Sequence, residues 1–384
     1  MKQLWGALAA LGFSVAICAQ VVDPAQERQR AQQFGLAVAQ AYNERNEQAL
    51  TELIDLRVFS ERVAAVSGFN QKEQQDFLVG MQRSSWSNIV VSNFKKLDDV
   101  QGTVRFVRVT DSRPARALVR FDLGKSGFDY VEYLLRTDAS GRTRTVDWFS
   151  LSSGQLVSET IGGIAQMFTA NANVLERLFG GQKFDPGMVA GFRLIGELQR
   201  QGKYAEALAE VRRLPAPVAE SRIMLSQQLG LATFGNLSEE RDRILARLAE
   251  KYSNDPAANF LLIDHYFNRK DGPRALAALD IVEKRVGIDS MTQQMRAAVY
   301  MTIGDLPNML KHATESVRLE PDRLDALDTR ATALVLNGKY PEAIEAYQQM
   351  EQRFDFKFTR EVFAGDPDFN AFMASAAFRA WLPK

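Results

Sequence analysis

The sequence predicts an α+β region followed by an all-α array of stacked helix pairs, and three observations carry that prediction. Between residues 88 and 151, five short runs rich in β-branched and aromatic residues follow one another with turn residues between them, which favours an antiparallel sheet. Upstream of these runs, apolar residues recur at helical spacing. Downstream, the phrase "QGKYAEALAEV" at 201–211 returns as "NGKYPEAIEAY" at 337–347, a separation of 136 positions or four periods of 34.

The chain opens with "MKQLWGALAALGFSVAICAQVVD". It has one lysine, an apolar run from Leu4 to Ala19, and small residues near a cut after Cys18 or Ala19. Residues 1–19 read as a secretory signal peptide, because sixteen apolar positions fall short of the roughly 20 that a spanning helix needs. An uncleaved anchor is the alternative; a lipid anchor on Cys18 is disfavoured by Ile17, which stands where a small residue is usual. Cleavage after Ala19 removes the only cysteine, so the mature fold is expected to hold by packing alone, with no stable membrane span. The 47 basic and 47 acidic residues balance, which argues against nucleic acid or an anionic membrane as a bulk electrostatic partner.

From Gln26 to Leu56 the pattern puts Phe34, Val38, Ala41 and Tyr42 on one helical face, and two shorter helical stretches follow at Phe59–Val66 and Lys72–Met81. The strand runs are "NIVVSNFKKL", "GTVRFVRVT", "PARALVRFDL", "FDYVEYLLRTD" and "RTRTVDWFSL". In the third, Ala115, Ala117, Val119 and Phe121 share one face while Arg116 and Arg120 share the other; Arg142 and Arg144 also share a side. One sheet face is therefore expected on the helices and the other in solvent. From Val157 to Phe179 the pattern is helical again, and "GGQKFDPG" reads as a hinge, so 156–187 is expected to be a connecting helix and hinge.

Helices followed by a curved sheet that ends in "RTVDWFSLSSGQLVSET" resemble the NTF2-like, cystatin-related α+β domains over residues 26–155. The last strand of those domains often ends in Asp plus an aromatic, matched here by Asp147 and Trp148. The resemblance implies a cone-shaped sheet able to enclose a pocket. In that pocket Asp147 would be a general base, Tyr130 or Tyr133 a donor, and Trp148 part of the lining. The competing reading is that Asp147 pairs with a neighbouring Arg or caps the turn. With no partner His and no cofactor motif, the enzymatic reading is the minor one.

Turn residues Gly202, Gly235, Lys270, Gly304 and Gly338 follow one another at 33, 35, 34 and 34, which defines five units over residues 188–354. In the last unit Leu324, Leu327, Ala331 and Leu334 form one stripe and Ala343, Ile344 and Tyr347 a second. Glycine at the junction permits the positive φ that ends the first helix, and Ala207 or Ala343, five positions later, lets the two helices approach. Breakers at Pro215, Pro217, Asp255–Pro256, Gly287 and Glu320–Pro321 separate the units. A two-helix unit cannot cover its own apolar stripe, so neighbours must stack.

These features resemble the tetratricopeptide repeat (TPR) family in period, turn glycine, following small residue and the proline at Pro321. The chain departs from the pattern at Lys270, at Glu240 and Met309 in place of alanine, and in a second unit that ends late at Pro256. Phe369, Phe372, Met373 and Ala376, with Phe378 and Trp381 beyond, mark 355–384 as a C-terminal capping helix, in preference to a detachable docking peptide.

In repeats of this family the first helix of each unit lines a concave groove. Carried over by phase, the groove residues are Phe192, Gln199, Arg200, Arg222, Leu225, Leu229, Phe260, Asp264, Phe267, Asn268, Met291, Gln294, Met301, Asp325 and Asp328. Apolar anchors between a basic N-terminal end and an acidic C-terminal end suit an extended or helical protein segment. Some of these side chains, Phe260 and Phe267 foremost, have packing between helices as their alternative. Relatives that clamp a terminal carboxylate use Lys and Asn where this chain has Phe192 and Gly196, which disfavours that mode.

Only two histidines exist, His265 and His312, 47 residues apart, and no metal or cofactor is expected. No phosphate loop, GxSxG or HExxH occurs, and "NLS" at Asn236–Ser238 reads as a turn. The sequence thus leads to an exported, periplasmic protein-binding scaffold. The alternatives are a carrier holding an apolar small molecule or lipid in the first domain and, behind it, an NTF2-like enzyme.

Overall fold

The computed structural model describes residues 23–67, 69–83, 97, 99–100, 102–124, 127–162 and 186–383. The expected signal peptide, the strand "NIVVSNFKKL" apart from Leu97, and the connecting segment beyond residue 162 lie outside the described residues; Leu97 is helical, and 157–162 form a helix.

Three helices near the start are fixed by side-chain caps. Asp23, Asn46 and Asp55 accept backbone N–H bonds at the starts of α1 (Pro24–Asn43), α2 (Glu47–Glu52) and α3 (Leu56–Val66). Helix α4 spans Gln71–Arg83. Five antiparallel strands follow in chain order: β1 (Thr103–Val109), β2 (Ala117–Asp122), β3 (Phe128–Thr137), β4 (Thr143–Ser150) and β5 (Gln155–Leu156). Ala117, Val119, Val131 and Tyr133 on one face pack with Phe34 and Val38 of α1. At Gly35 the helix backbone comes so close to the Phe106 ring that a Cβ has no room. The open edge of β1 is met by Asn43, whose side-chain amide exchanges two 2.8 Å bonds with the Val104 backbone.

Five helix pairs then stack: α5 (Pro186–Arg200) with α6 (Tyr204–Arg213), α8 (Arg222–Phe234) with α9 (Ser238–Lys251), α10 (Pro256–Asn268) with α11 (Gly272–Val286), α12 (Ser290–Thr302) with α13 (Leu306–Leu319), and α14 (Leu324–Leu336) with α15 (Tyr340–Phe354). A single extra turn, α7 (Ala216–Ala219), lies between the first two pairs. Pro256 opens α10 as its first residue behind the Asp255 cap.

The backbone corrects the phase of the second unit. The left-handed residues at the turns are Gly202, Asn236, Lys270, Gly304 and Gly338, with φ between 52° and 77° and a spacing of 34 throughout. Gly235 is right-handed, at φ −80°. It is retained for space, since a Cβ there would stand 2.9 Å from Tyr204 Cβ of the preceding unit. The residue five positions beyond the turn is therefore Arg241, not Glu240. Arg241 is exposed where Ala207, Ala275, Met309 and Ala343 are buried, and α9 packs instead through Ile244, Leu245 and Leu248.

The expected closing helix over 355–384 is three short helices and a 3₁₀ turn: α16 (Arg360–Phe363), Pro367–Phe369, α17 (Asn370–Met373) and α18 (Ala376–Trp381). Gly365, Pro367 and the Ser375 cap break it up. Phe363, Phe372 and Phe378 are buried against Tyr347, whose ring stacks on Trp381 at 5.7 Å, so the segment closes the end of the array.

Candidate functional site

The expected groove residues lie on the first helices of the units. With the phase set by the left-handed turn residues, Phe192, Ser226, Phe260, Gln294 and Asp328 are equivalent positions, as are Gln199, Thr233, Phe267, Met301 and Val335. Leu225 is fully buried and Leu229 packs against the same core, so neither faces the groove. Counting from Gly235 rather than Asn236 rotated both by one position, about 100°; Ser226 and Gly230 take their places. Phe192 is buried at the start of the array.

The outer face of the sheet, expected in solvent, is covered by the helix pairs. Leu118, Tyr130 and Leu151 are 1–3% exposed and join a core with Ala257, Ile263, Ala275, Leu279 and Val286. The Phe128 and Tyr130 rings meet Phe260 edge-on at 5.2 and 6.1 Å. One of the expected groove anchors is thereby taken by the chain itself.

Charge is buried in the same interface. Arg120, at 0% exposure, places Nη1 2.5 Å from Asp289 Oδ2 and Nη2 2.8 Å from Glu320 Oε2. The Tyr130 hydroxyl donates to the same Asp289 oxygen at 2.6 Å. Asp289 is also the N-cap of α12, so one carboxylate ties a helix start to two strands. Burial works against the Arg120 charge, but Asp289 and Glu320 more than reverse it and hold the guanidinium protonated. Burial, followed by Asp289, pushes the Tyr130 phenol well up, so it stays a donor.

Around this centre Arg105 reaches Asp322 at 3.0 Å, and Glu132 joins Arg285 at 2.6 Å and Arg116 at 3.2 Å. Arg108 donates to the last carbonyls of α11, Val286 at 2.8 Å and Arg285 at 3.1 Å, where a cation suits the helix terminus. The expected groove residue Arg222 packs against Gly154 of the turn before β5, and its Nε lies 3.8 Å from Asp255.

The four candidate pocket residues are divided between the two faces of the sheet. Tyr130 points at the helix pairs. Tyr133 lies on the opposite face against Phe34 at 5.6 Å, and Trp148 stacks on Phe59 at 4.9 Å. Burial pushes up the phenol pKa of both Tyr133 and its hydrogen-bonded neighbour Tyr42, the latter to about 12. Asp147 is fully buried and its carboxylate receives four donors: Arg62 Nε at 2.9 Å, Ser158 Oγ at 2.6 Å, Ser158 N at 3.2 Å and Trp148 N at 2.9 Å. This is the Arg pairing and turn capping weighed for that residue above.

The two histidines sit apart within the array. His312 Nδ1 is 2.8 Å from Gln293 Oε1 and its ring stacks on Tyr300 at 5.2 Å, while His265 faces Arg269 and Asp242. Burial lowers the pKa of each. Among the described residues no group of His, Cys, Asp and Glu could hold a metal ion, and no helix is long and apolar enough to cross a membrane.

Of the expected groove residues, Met301 is 41% exposed and Phe267 half-buried near the ends of their helices, Arg200, Asp264 and Asn268 are exposed, and Asp325 and Asp328 are exposed in the first turns of α14. Gln294 is held by Thr329 at 3.0 Å and by Arg323, whose Nη1 lies 3.4 Å from Met291 Sδ. The seat of the sheet was missed from sequence. Its only advance signal was Arg120, a charge alternating with Leu118 on a face without a helix of its own. No protein-family model matches this chain, and no curated protein matches it.

Proposed function

We propose that this is an exported, periplasmic scaffold of the TPR type that binds a protein segment in the open half of its groove, with the NTF2-like first domain acting as a fixed wall of that groove. One observation carries the reading. Phe267 and Met301 occupy the same position in adjacent units; Met301 is 41% exposed beside Phe267, which is half-buried against the core under the sheet. A large apolar side chain left open beside a buried interface is what an interaction surface provides. The carrier reading ranks below this one, because the inner face of the sheet is filled by Phe34, Phe59, Tyr133 and Trp148 packed ring to ring.

The test begins with crosslinking and mass spectrometry from native cell envelopes to recover a protein partner. Replacing Phe267 and Met301 together with Ala is expected to weaken that partner by about 10- to 100-fold. The melting temperature should stay within a few degrees, since neither side chain is fully buried. Unchanged affinity in the double variant would remove the groove from the account.

A further inference from the structure

We infer that the link between Asn337 and Gly338 is a site of spontaneous deamidation, which the fold keeps shut for as long as the fifth unit stays docked on the fourth. This goes beyond the groove reading and does not depend on it.

The chemistry is set by two neighbouring residues. Asn337 is the only asparagine in the chain that is followed by glycine. With no Cβ in the way, the backbone nitrogen of a following glycine reaches the asparagine side chain more easily than that of any other residue. The Gly338 nitrogen, stripped of its proton, forms a bond to Asn337 Cγ. The Cγ–Nδ2 bond breaks, and the departing nitrogen takes up a proton and leaves as ammonia. A succinimide ring remains, and one water opens it to aspartate or, by cleavage on the other side, to isoaspartate. Water is the only co-reactant.

Hydrogen bonds close this path in the folded chain. Asn337 ends α14 at φ −86° and ψ 6°, and Gly338 follows in the left-handed region at φ 71°. The Asn337 amide gives its hydrogens to two carbonyls. Nδ2 donates to Ala333 O at 2.8 Å, in the last turn of its own helix, and to Leu306 O at 2.9 Å, at the start of α13 in the fourth unit. The Gly338 N–H donates to Val335 O at 2.9 Å. For the ring to form, the Gly338 nitrogen must give up that proton and the side-chain amide must leave both carbonyls, one of which belongs to the neighbouring unit. Gly338 is exposed and Asn337 half-buried, so solvent already reaches the turn and the hydrogen bonds are what hold the reaction back.

The product does not fit the turn. A carboxylate at 337 has no hydrogen to give, so two carbonyl oxygens that now receive donors would face a negative charge. Isoaspartate in addition inserts a methylene into the backbone between α14 and α15, next to the left-handed Gly338 that sets the hairpin. A fifth unit that opens long enough to react therefore closes less well afterwards, and the modification records the opening. At the equivalent place the other units carry Gln201, Gly235, Arg269 and Ile303, so the device belongs to the last helix pair.

The experiment incubates the full chain at mildly alkaline pH and follows the exchange of amide for acid at every asparagine by peptide mapping and mass spectrometry. Three samples are compared: the folded parent, the parent unfolded in guanidinium chloride, and Phe372→Ala, which loosens the end of the array against which the fifth unit is closed. In the unfolded chain Asn337 is expected to convert before any other asparagine. In the folded parent its conversion should be slower by about tenfold or more, with Phe372→Ala between the two. The Asn337→Asp variant, which carries one of the two products, should melt a few degrees below the parent. Equal rates at Asn337 in the folded and unfolded parent overturn the gate, a comparison that stands whether or not Phe372→Ala folds. Earlier conversion of another asparagine in the unfolded chain overturns the site. An unchanged melting temperature in Asn337→Asp overturns the claim that the product spoils the turn.

Discussion

Arg120 keeps a full charge at zero exposure because two carboxylates, Asp289 and Glu320, are delivered to it by distant parts of the chain. Removing one partner of such a buried set is costly, since the others remain desolvated. Arg120→Met, which keeps the volume, is expected to destabilise by about 3–5 kcal/mol in urea unfolding. Adding Asp289→Asn should recover part of that loss, a non-additivity that a double-mutant cycle will show. Strand alternation in the sequence placed Arg120 on the correct face but could not supply its partners, which lie 169 and 200 residues downstream. The turn residues show the same limit at shorter range. Glycine is the usual left-handed residue, yet asparagine also tolerates that region, and with Asn236 at the turn Gly235 is free for a close approach to Tyr204. Asn236→Gly and Lys270→Gly, at φ 52° and 57°, are each expected to stabilise by about 0.5–1 kcal/mol, whereas Gly235→Ala destabilises through the clash. Chemical denaturation of the three single variants checks the signs.

At the scale of elements, most of what the sequence showed was local, and local signals held. The strand runs from β1 to β4 and the five helix pairs lie where periodicity and turn residues put them, apart from the one-residue slip in the second unit; the stretch Gln26–Leu56, by contrast, is broken into α1 and α2, with Asn46 capping the second. What periodicity missed was geometry made by pairing. A register shift at Leu134 and Leu135 opposite β4 brings Asp147 into line with Leu134, and Asp147 sits where Arg62 and Ser158 close on it. The C-terminal segment shows the converse. Its apolar spacing was legible, but Gly365 and Asp366–Pro367 divide it into turns too short to be stable alone. Such turns hold only through their rings, so Phe372→Ala is expected to cost about 3–5 kcal/mol and to expose the end of α15. Hydrogen exchange should then rise in 340–383 before it rises elsewhere. Equal protection in parent and variant would show that the aromatic cluster is not what closes the array.

At the scale of the molecule, an array of helix pairs by itself unfolds as a chain of coupled units, each resting on its neighbours. Here the sheet spans several of them. Gly154 packs against Arg222 and Ala257 of the second and third units, Tyr130 meets Asp289 of the fourth, and Arg120 and Arg105 reach Glu320 and Asp322 before the fifth. Leu118, Tyr130 and Leu151 would each lose about 2 kcal/mol of burial if the sheet came away. The Arg120 cluster would lose its partners at the same time. Neither half can therefore be lost cheaply, and the sheet together with units two to five is expected to melt in one cooperative step with coincident near- and far-ultraviolet signals. Acid weakens the same bridge with a definite sign. The hydrogen bond from Arg105 holds the Asp322 carboxyl below its ordinary range, so its contribution is complete above that range and fades as pH falls through the lowered value. Because that pair is largely exposed, the loss is at most about 1 kcal/mol, and Arg105→Gln should flatten this part of the pH dependence below about pH 4. Two separate melting transitions at neutral pH, one for the sheet and one for the helices, would instead show that the buried outer face does not bind the parts together.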